Sequence, residues 1–315
     1  MSKAQFLLSV LVPVYNEEDN IQPLIDRLLP MLKKYTYELI FIDDGSKDNT
    51  VNQIKAITKE NDSIKLLSFS RNFSHQAALS CGYQFAKGDC VISLDADCQD
   101  PPEIIPEMIE KWQNGAMIVY AKRQTRDVDN SFKRITAKWF YTFINFLSEV
   151  PIPEDVGDFR LLDRTVVEFL NSLPEHSKFL RGLVAWTGFP TDYVYFKREK
   201  RFAGQTHYTF SKMLNFAMDG ITSFSTKPLR LASYFGFICA SIGFLGVIYA
   251  LIGKIFQPPF FPHDWVTGWT LMFVGVMFIG GVQLITIGII GEYISKIFTE
   301  VQKRPPFIVK ERVNV

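Results

Sequence analysis

Ser93-Leu94-Asp95-Ala96-Asp97-Cys98-Gln99-Asp100-Pro101-Pro102-Glu103 is the stretch on which the fold turns. The residues leading into it, Cys90-Val91-Ile92-Ser93-Leu94, are apolar and β-forming, so the acidic cluster sits at the carboxyl end of a buried strand. In open α/β sheets that end is where ligands bind. Asp-X-Asp there gathers two carboxylates near one point, with the Gln99 amide two residues further on. Hard oxygen ligands of this kind suit Mg²⁺ or Mn²⁺, shared with a substrate's phosphates. Pro101-Pro102-Glu103 fixes φ at a helix start and stiffens the loop. Taken alone, Asp-X-Asp also reads as a solvated turn, and the upstream sequence decides between the two.

That upstream sequence repeats one pattern. Leu7, Leu8, Val10, Leu11 and Val12 form a buried strand that ends in Pro13-Val14-Tyr15-Asn16-Glu17-Glu18 and is followed by a helical pattern from Ile21 to Leu29. Glu38-Leu39-Ile40-Phe41-Ile42 ends in Asp43-Asp44-Gly45-Ser46, with Asp48-Asn49-Thr50 opening the next helix. Ile64 to Phe69 leads to Arg71-Asn72-Phe73-Ser74-His75 and another helix. Four strands alternate with helices, each ending in a polar loop, which predicts a parallel α/β sheet. No G-x-G-x-x-G follows the first strand and no G-x-x-x-x-G-K-[ST] occurs, which disfavours dinucleotide redox and P-loop chemistry. The loops instead converge with Tyr15, Glu17, Asp43, Asp44, Asp95, Asp97 and Gln99, a set able to hold a nucleoside and, through a metal, its diphosphate.

Composition sets the bounds. The 315 residues carry a net charge of +1 and no RNA- or DNA-binding motif, so no nucleic-acid partner is expected. Cys81, Cys90, Cys98 and Cys239 have neither CxxC nor disulfide-framework spacing and read as free thiols in a reducing compartment. Met1 to Gln5 run straight into a strand, so no secretory signal is expected. The 28 phenylalanines concentrate in the second half, which hints at a membrane.

Val12 to Glu18, Phe41 to Ser46 and Asp95 to Glu103 resemble the signature set of family 2 glycosyltransferases. The resemblance is to the dolichol-phosphate mannose synthase-like branch, which moves sugars from nucleotide donors onto polyisoprenyl phosphates. It implies a GT-A nucleotide-diphosphosugar transferase domain in which Pro13, Tyr15, Glu17 and Asp44 contact the nucleotide. It further implies that Asp97 and Gln99 ligate the metal and that Asp95 assists at the donor. Cys98 stands where the family usually has Leu, a packing position.

After a fifth strand, Ala116 to Tyr120, come Lys122, Arg123, Arg126, Lys133, Arg134 and Lys138. Ile135, Trp139, Phe143 and Phe146 share one helical face with these cations off it, so residues 131–148 predict either a membrane-interface helix or a surface helix packed on the sheet. The family resemblance implies that Arg123 and either Lys133 or Arg134 bind the acceptor phosphate. Gly157-Asp158-Phe159-Arg160-Leu161-Leu162-Asp163-Arg164 resembles the bacterial bactoprenol-sugar synthases more closely than the mannose synthases. There Asp158 would face the acceptor as a catalytic group, although it reads equally as a cap or an ion-pair partner. Arg201 to Tyr208 resembles the family's Arg-x-x-Gly-Glu-Ser-Lys-Tyr loop, with Gln205, Thr206 and His207 as departures. Arg201 and His207 would then reach the acceptor phosphate, His207 as a weaker partner than Lys at neutral pH.

A second amphipathic stretch over 209–228 precedes two runs without charge, Leu231 to Gly253 and Trp265 to Gly291, each longer than the ~20 residues that span a bilayer. Lys227 and Arg230 flank the first span, and Lys296, Lys303, Arg304, Lys310 and Arg312 follow the second. The positive-inside rule puts the catalytic domain (1–208) and the tail (293–315) in the cytosol of a bacterial inner membrane. A fully buried soluble helix pair is the alternative. Gly275 to Gly291 could also pack span against span in a homo-oligomer. The expected reaction is inverting transfer of a hexose, glucose from UDP-glucose, to undecaprenyl phosphate, with release of UDP. A GDP-mannose-dependent synthase of the dolichol type is the alternative. A processive polysaccharide synthase is rejected, because Arg181 to Trp186 lacks the Gln-x-x-Arg-Trp spacing. A non-catalytic nucleotide-binding scaffold fits poorly with an intact Asp97/Gln99 pair.

Overall fold

Strands buried on both faces need near-continuous apolar runs, and the first four strands supply them. They are β1 (Leu7–Val14), β2 (Thr36–Asp43), β3 (Ile64–Phe69) and β4 (Cys90–Ser93), which pair in parallel in the order β4-β1-β2-β3. The computed structural model describes residues 6–124, 153, 156–176, 178–197, 225–256 and 268–315. Between these strands run α1 (Ile21–Leu32), α2 (Thr50–Glu60) and α3 (His75–Phe85). After β4, Pro102–Ile104 makes one 3₁₀ turn into α4 (Ile105–Gln113).

Beyond β4 the sheet stops being parallel, which corrects the wholly parallel expectation. The fifth strand in sequence, β5 (Ile118–Arg123), does not pair with β4. Instead β6 (Val156–Asp163) lies between them, antiparallel to both, and β7 (Thr191–Phe196) pairs with β5 in parallel. β6 feeds α5 (Arg164–Ser172) and α6 (Leu180–Trp186). The last strand, β8 (Val309–Val313), closes the far edge by pairing antiparallel with β3. The full order is β7-β5-β6-β4-β1-β2-β3-β8.

Alternation along the strands sorts the core into two layers. Leu8, Val10, Val12, Leu39, Phe41, Leu66 and Ile92 face α1, α2 and α4. Leu11, Ile40, Ile42, Leu67, Val91 and Ile118 face α3, α5 and α6. All four cysteines are free, and burial pushes the Cys81 thiol up to about 12, so it is an inert core group.

Two long helices, α7 (Lys227–Phe256) and α8 (Gly268–Gln302), pack against each other. Both are long and apolar enough to cross a membrane, and they expose large side chains such as Phe237, Phe244 and Leu284. At their base the Tyr293 hydroxyl donates to the Ser225 carbonyl (2.6 Å), and Glu300 accepts from the His176 backbone N–H (3.0 Å). The chain leaving α8 then stacks Phe307 on Phe69 and enters the sheet as β8. The expected interface helix over 131–148 and most of the amphipathic stretch over 209–228 lie outside the described residues.

Candidate active site

The carboxyl ends of β1 to β4 open on one side of the sheet, and the loops after β1, β2 and β3 are bolted together. Asn16 N–H donates to the Ser46 hydroxyl, Lys47 N–H donates to the Asn16 side chain (2.8 Å), and Glu17 N–H donates to the Thr50 hydroxyl (2.9 Å). These bonds tie the loop after β1 to the loop after β2. Gly45, at φ +77°, presses on the loop after β3. A Cβ there would lie 2.6 Å from the Arg71 carbonyl carbon, so the turn admits no larger residue. Asp44 carries the join further, accepting from the backbone N–H groups of Phe73 (2.6 Å) and Ser74 (3.0 Å).

Each of these loops also holds a left-handed residue: Asn16 (φ 53°), Gly45, Ser74 (φ 107°) and Cys98 (φ 56°). Such conformations cost roughly 1–3 kcal/mol at non-glycine residues and gather where function demands them. Cys98 is buried beside Ala96, in keeping with a packing role.

The expected site residues fall into three groups. Tyr15 is exposed, Glu17 accepts from the Asn20 side chain, and Pro13 lies inside β1 opposite Ile42. Asp44 is buried with its oxygens on backbone N–H groups, so its visible work is to hold the loop before α3. Burial, with help from the adjacent Asp43 charge, keeps its carboxyl above the usual value despite those bonds. Asp97 is buried and turns back to accept from the Gln99 N–H (3.1 Å), and Gln99 is half-buried two residues on. Arg123 ends β5 with its guanidinium 3.9 Å from the Asp100 carboxylate, on the flank of the same loop. Lys133, Arg134, Arg201 and His207 lie outside the described residues.

Asp158 has the most partners of these residues. Its carboxylate accepts two bonds from Arg181 (2.7 and 3.1 Å) and one from Arg160 (3.1 Å). His75 Nε2 lies 3.3 Å from it. Burial opposes its charge, but Arg181, His75 and Arg160 outweigh that and hold the carboxyl well below the ordinary range. Asp158 is thus an ion-pair partner of Arg181 and Arg160. Across from it stands Asp95, whose carboxylate is 3.6 Å from the same His75 nitrogen. Burial pushes Asp95 up; His75 opposes the rise, and Asp158 and Asp97 add to it.

His75, Arg160 and Arg181 were not among the expected site residues. Arg160 had a signal, since Asp158 and Arg160 are two apart on one strand and must share a face. His75 had a weaker one, as the titratable residue at the mouth of the third strand-end loop. Arg181 had none, being brought in by α6 from 23 positions away.

Six aspartates (Asp43, Asp44, Asp95, Asp97, Asp100 and Asp158) thus meet His75, Arg123, Arg160 and Arg181 around this mouth. Acids outnumber cations, a donor set that fits a divalent cation. Among the described residues no group of three or more His, Cys, Asp and Glu side chains could hold a metal by itself. An ion here would take few protein ligands and the remainder from a diphosphate, the habit of Mg²⁺ and Mn²⁺.

The family model for glycosyl transferase family 2 matches residues 9–170. An uncharacterised glycosyltransferase of Synechocystis sp. is 45% identical over 306 residues, covering 96% of this chain and 95% of that protein. The SfII prophage-derived bactoprenol glucosyl transferase of Shigella flexneri is 45% identical over 307 residues, covering 96% of this chain and 97% of its own. Among solved structures, the mannosyltransferase PcManGT from Pyrobaculum calidifontis in complex with GDP-Man and Mn2+ shares the fold, with a TM-score of 0.51 at 15% identity over 73% of this chain and 66% of that one. With the motifs, the sheet and the relatives in agreement along nearly the whole chain, it belongs to glycosyl transferase family 2.

Proposed function

We propose that the chain transfers glucose from UDP-glucose to a polyisoprenyl phosphate at the face of a bacterial inner membrane. The observation that carries this reading is full-length likeness, at 45% identity, to a protein named as a bactoprenol glucosyl transferase. The physical layout supports it. A long polyisoprenyl chain stays in the bilayer, so its phosphate must be met at the surface, and α7 and α8 supply an apolar pair that would hold the domain there. Pairing of β8 with β3 supports a hairpin topology, because the tail returns to the domain from which α7 departs. With the positive flanks of both helices, that favours a cytosolic domain (1–208), two spans and a cytosolic tail (293–315).

In this reading Tyr15, Glu17 and the loop fixed by Asp44 hold the nucleoside. Asp97 and Gln99 hold Mg²⁺ or Mn²⁺, which would neutralise charge on the departing diphosphate. Arg123 would meet the acceptor phosphate, joined by Lys133 or Arg134, Arg201 and His207. An oxygen of that phosphate forms a bond to the anomeric carbon while the carbon–oxygen bond to the diphosphate breaks. The electron pair leaves with UDP, and the centre inverts. A phosphate monoester with a second pKa of about 6 is already largely dianionic at neutral pH. No base is needed, and Asp158, held below the carboxylate range by two guanidiniums and an imidazole, is a poor one. Its role is to order the mouth.

A donor screen tests the reading. Membranes containing the protein are given radiolabelled nucleotide sugars, and label is counted in the lipid extract. Label from UDP-glucose above every other donor is expected. Label from GDP-mannose alone, or none with any donor, would overturn it.

A further inference from the structure

We propose that His75 is a positioning residue for sugar transfer, a bracket that fixes Asp95 against the anchored Asp158. The inference rests on the reading above, together with the family resemblance, which implies that Asp95 assists at the donor.

Geometry shows what His75 bridges: its Nε2 lies 3.3 Å from Asp158 and 3.6 Å from Asp95. Asp158 is already anchored by Arg181 and Arg160 within 3.1 Å, so the imidazole adds little to its placement. Asp95 is the opposite case. Among the described residues its one ion-pair partner is His75, at 3.6 Å. The imidazole therefore leans on a carboxylate that cannot move and holds one that otherwise could. Asp158 sits on β6 and Asp95 on the loop after β4, so the bracket spans two elements that meet at the mouth.

The fold places His75 there at local cost. Ser74, immediately before it, adopts φ 107° and ψ 155°, a region open almost only to glycine. Asp44 fixes that residue through its N–H. His75 is also the first residue of α3, where the helix dipole disfavours a cation. A surface histidine with no task would have neither feature. The His75 side chain remains 42% exposed.

The test uses the full-length membrane protein and three variants. His75→Ala removes the bracket. His75→Gln places an amide N–H at the reach of Nε2, and His75→Asn places it too short. Transfer to polyisoprenyl phosphate and slow hydrolysis of UDP-glucose without acceptor are both measured at saturating donor. We expect His75→Ala to lose about 10- to 100-fold in kcat of both reactions, the scale of a misplaced reacting group. The KM for acceptor should stay within about threefold. His75→Gln should recover most of the loss and His75→Asn little of it. Wild-type kcat in His75→Ala, or equal loss in His75→Ala and His75→Gln, would overturn the proposal. If the wild type hydrolyses donor but does not label the lipid, the acceptor reading fails, and the hydrolysis series still decides the role of His75.

Discussion

The two ends of the same sheet both bury carboxylate charge, and they treat it in opposite ways. At the amino ends of β1 to β4, Glu38 accepts from the Ser9 hydroxyl, the Lys87 N–H (2.6 Å) and the Lys65 ammonium (2.7 Å). Gly88 closes over the group so tightly that a Cβ would lie 2.6 Å from Ser9 N. Burial alone would raise the Glu38 carboxyl, but those donors bring it below its usual value. At the carboxyl ends, Arg160 and Arg181 both go to Asp158, while burial pushes Asp44 and Asp95 up. One end is charge-balanced and unstrained. The other is acid-rich and carries left-handed residues in all four loops. A carboxylate whose every partner is in the protein serves stability, whereas one left short of cations points to a ligand that brings them.

Asp97→Asn should break the carboxyl end most severely. Loss of transfer by about 10²-fold or more is expected, as for removal of a group that stabilises a developing charge. The melting temperature should hold or rise, because a charge leaves an acid-rich cluster. Wild-type transfer in excess chelator, or in Asp97→Asn, would remove the metal from the account.

The amino end should respond in the reverse sense. Lys65→Met strands a buried carboxylate and should cost about 3 kcal/mol of stability in thermal or urea unfolding, with transfer per folded molecule unchanged. The Glu38 carboxyl is depressed in the fold, so its contribution is present above the ordinary carboxylate range. It is lost as pH falls through the folded value. In Lys65→Met that acid-side loss should shrink. An undiminished acid limb would show that Lys65 is not the partner that matters.

Ser74→Gly is the mildest probe. Relief of the left-handed serine should stabilise the protein by about 1 kcal/mol, the strain released less the entropy that glycine loses on folding. Transfer should survive, since the variant keeps the N–H that Asp44 accepts. A destabilised Ser74→Gly would mean that the conformation costs nothing.

What the sequence disclosed follows the range of the interactions. β1 to β4 and the Asp95 loop were legible because apolar runs and turn residues act over a few positions. The place of β6 was not, because antiparallel insertion between β4 and β5 is settled by pairing across more than 60 residues. β8 was hidden for the same reason. Its partner β3 lies some 240 positions away, and Val309 to Val313 alone alternates like any short edge segment. In the site, the Asp97/Gln99 pair was local and visible, whereas the Asp158–Arg181 pair needed α6 to fold back over the sheet. Asp44 also accepts from the backbone N–H groups of Phe73 and Ser74, a structural use that no spacing rule announces.

The most direct test of the central claim, that the acid-rich end stabilises a whole diphosphate as it leaves the anomeric carbon, is the identity of the spent nucleotide. Purified protein, UDP-glucose and polyisoprenyl phosphate are incubated to partial conversion, and the nucleotides are separated by ion-exchange chromatography. The account predicts one UDP for each sugar found on lipid. Stoichiometric UMP would mean attack at phosphorus and would contradict it.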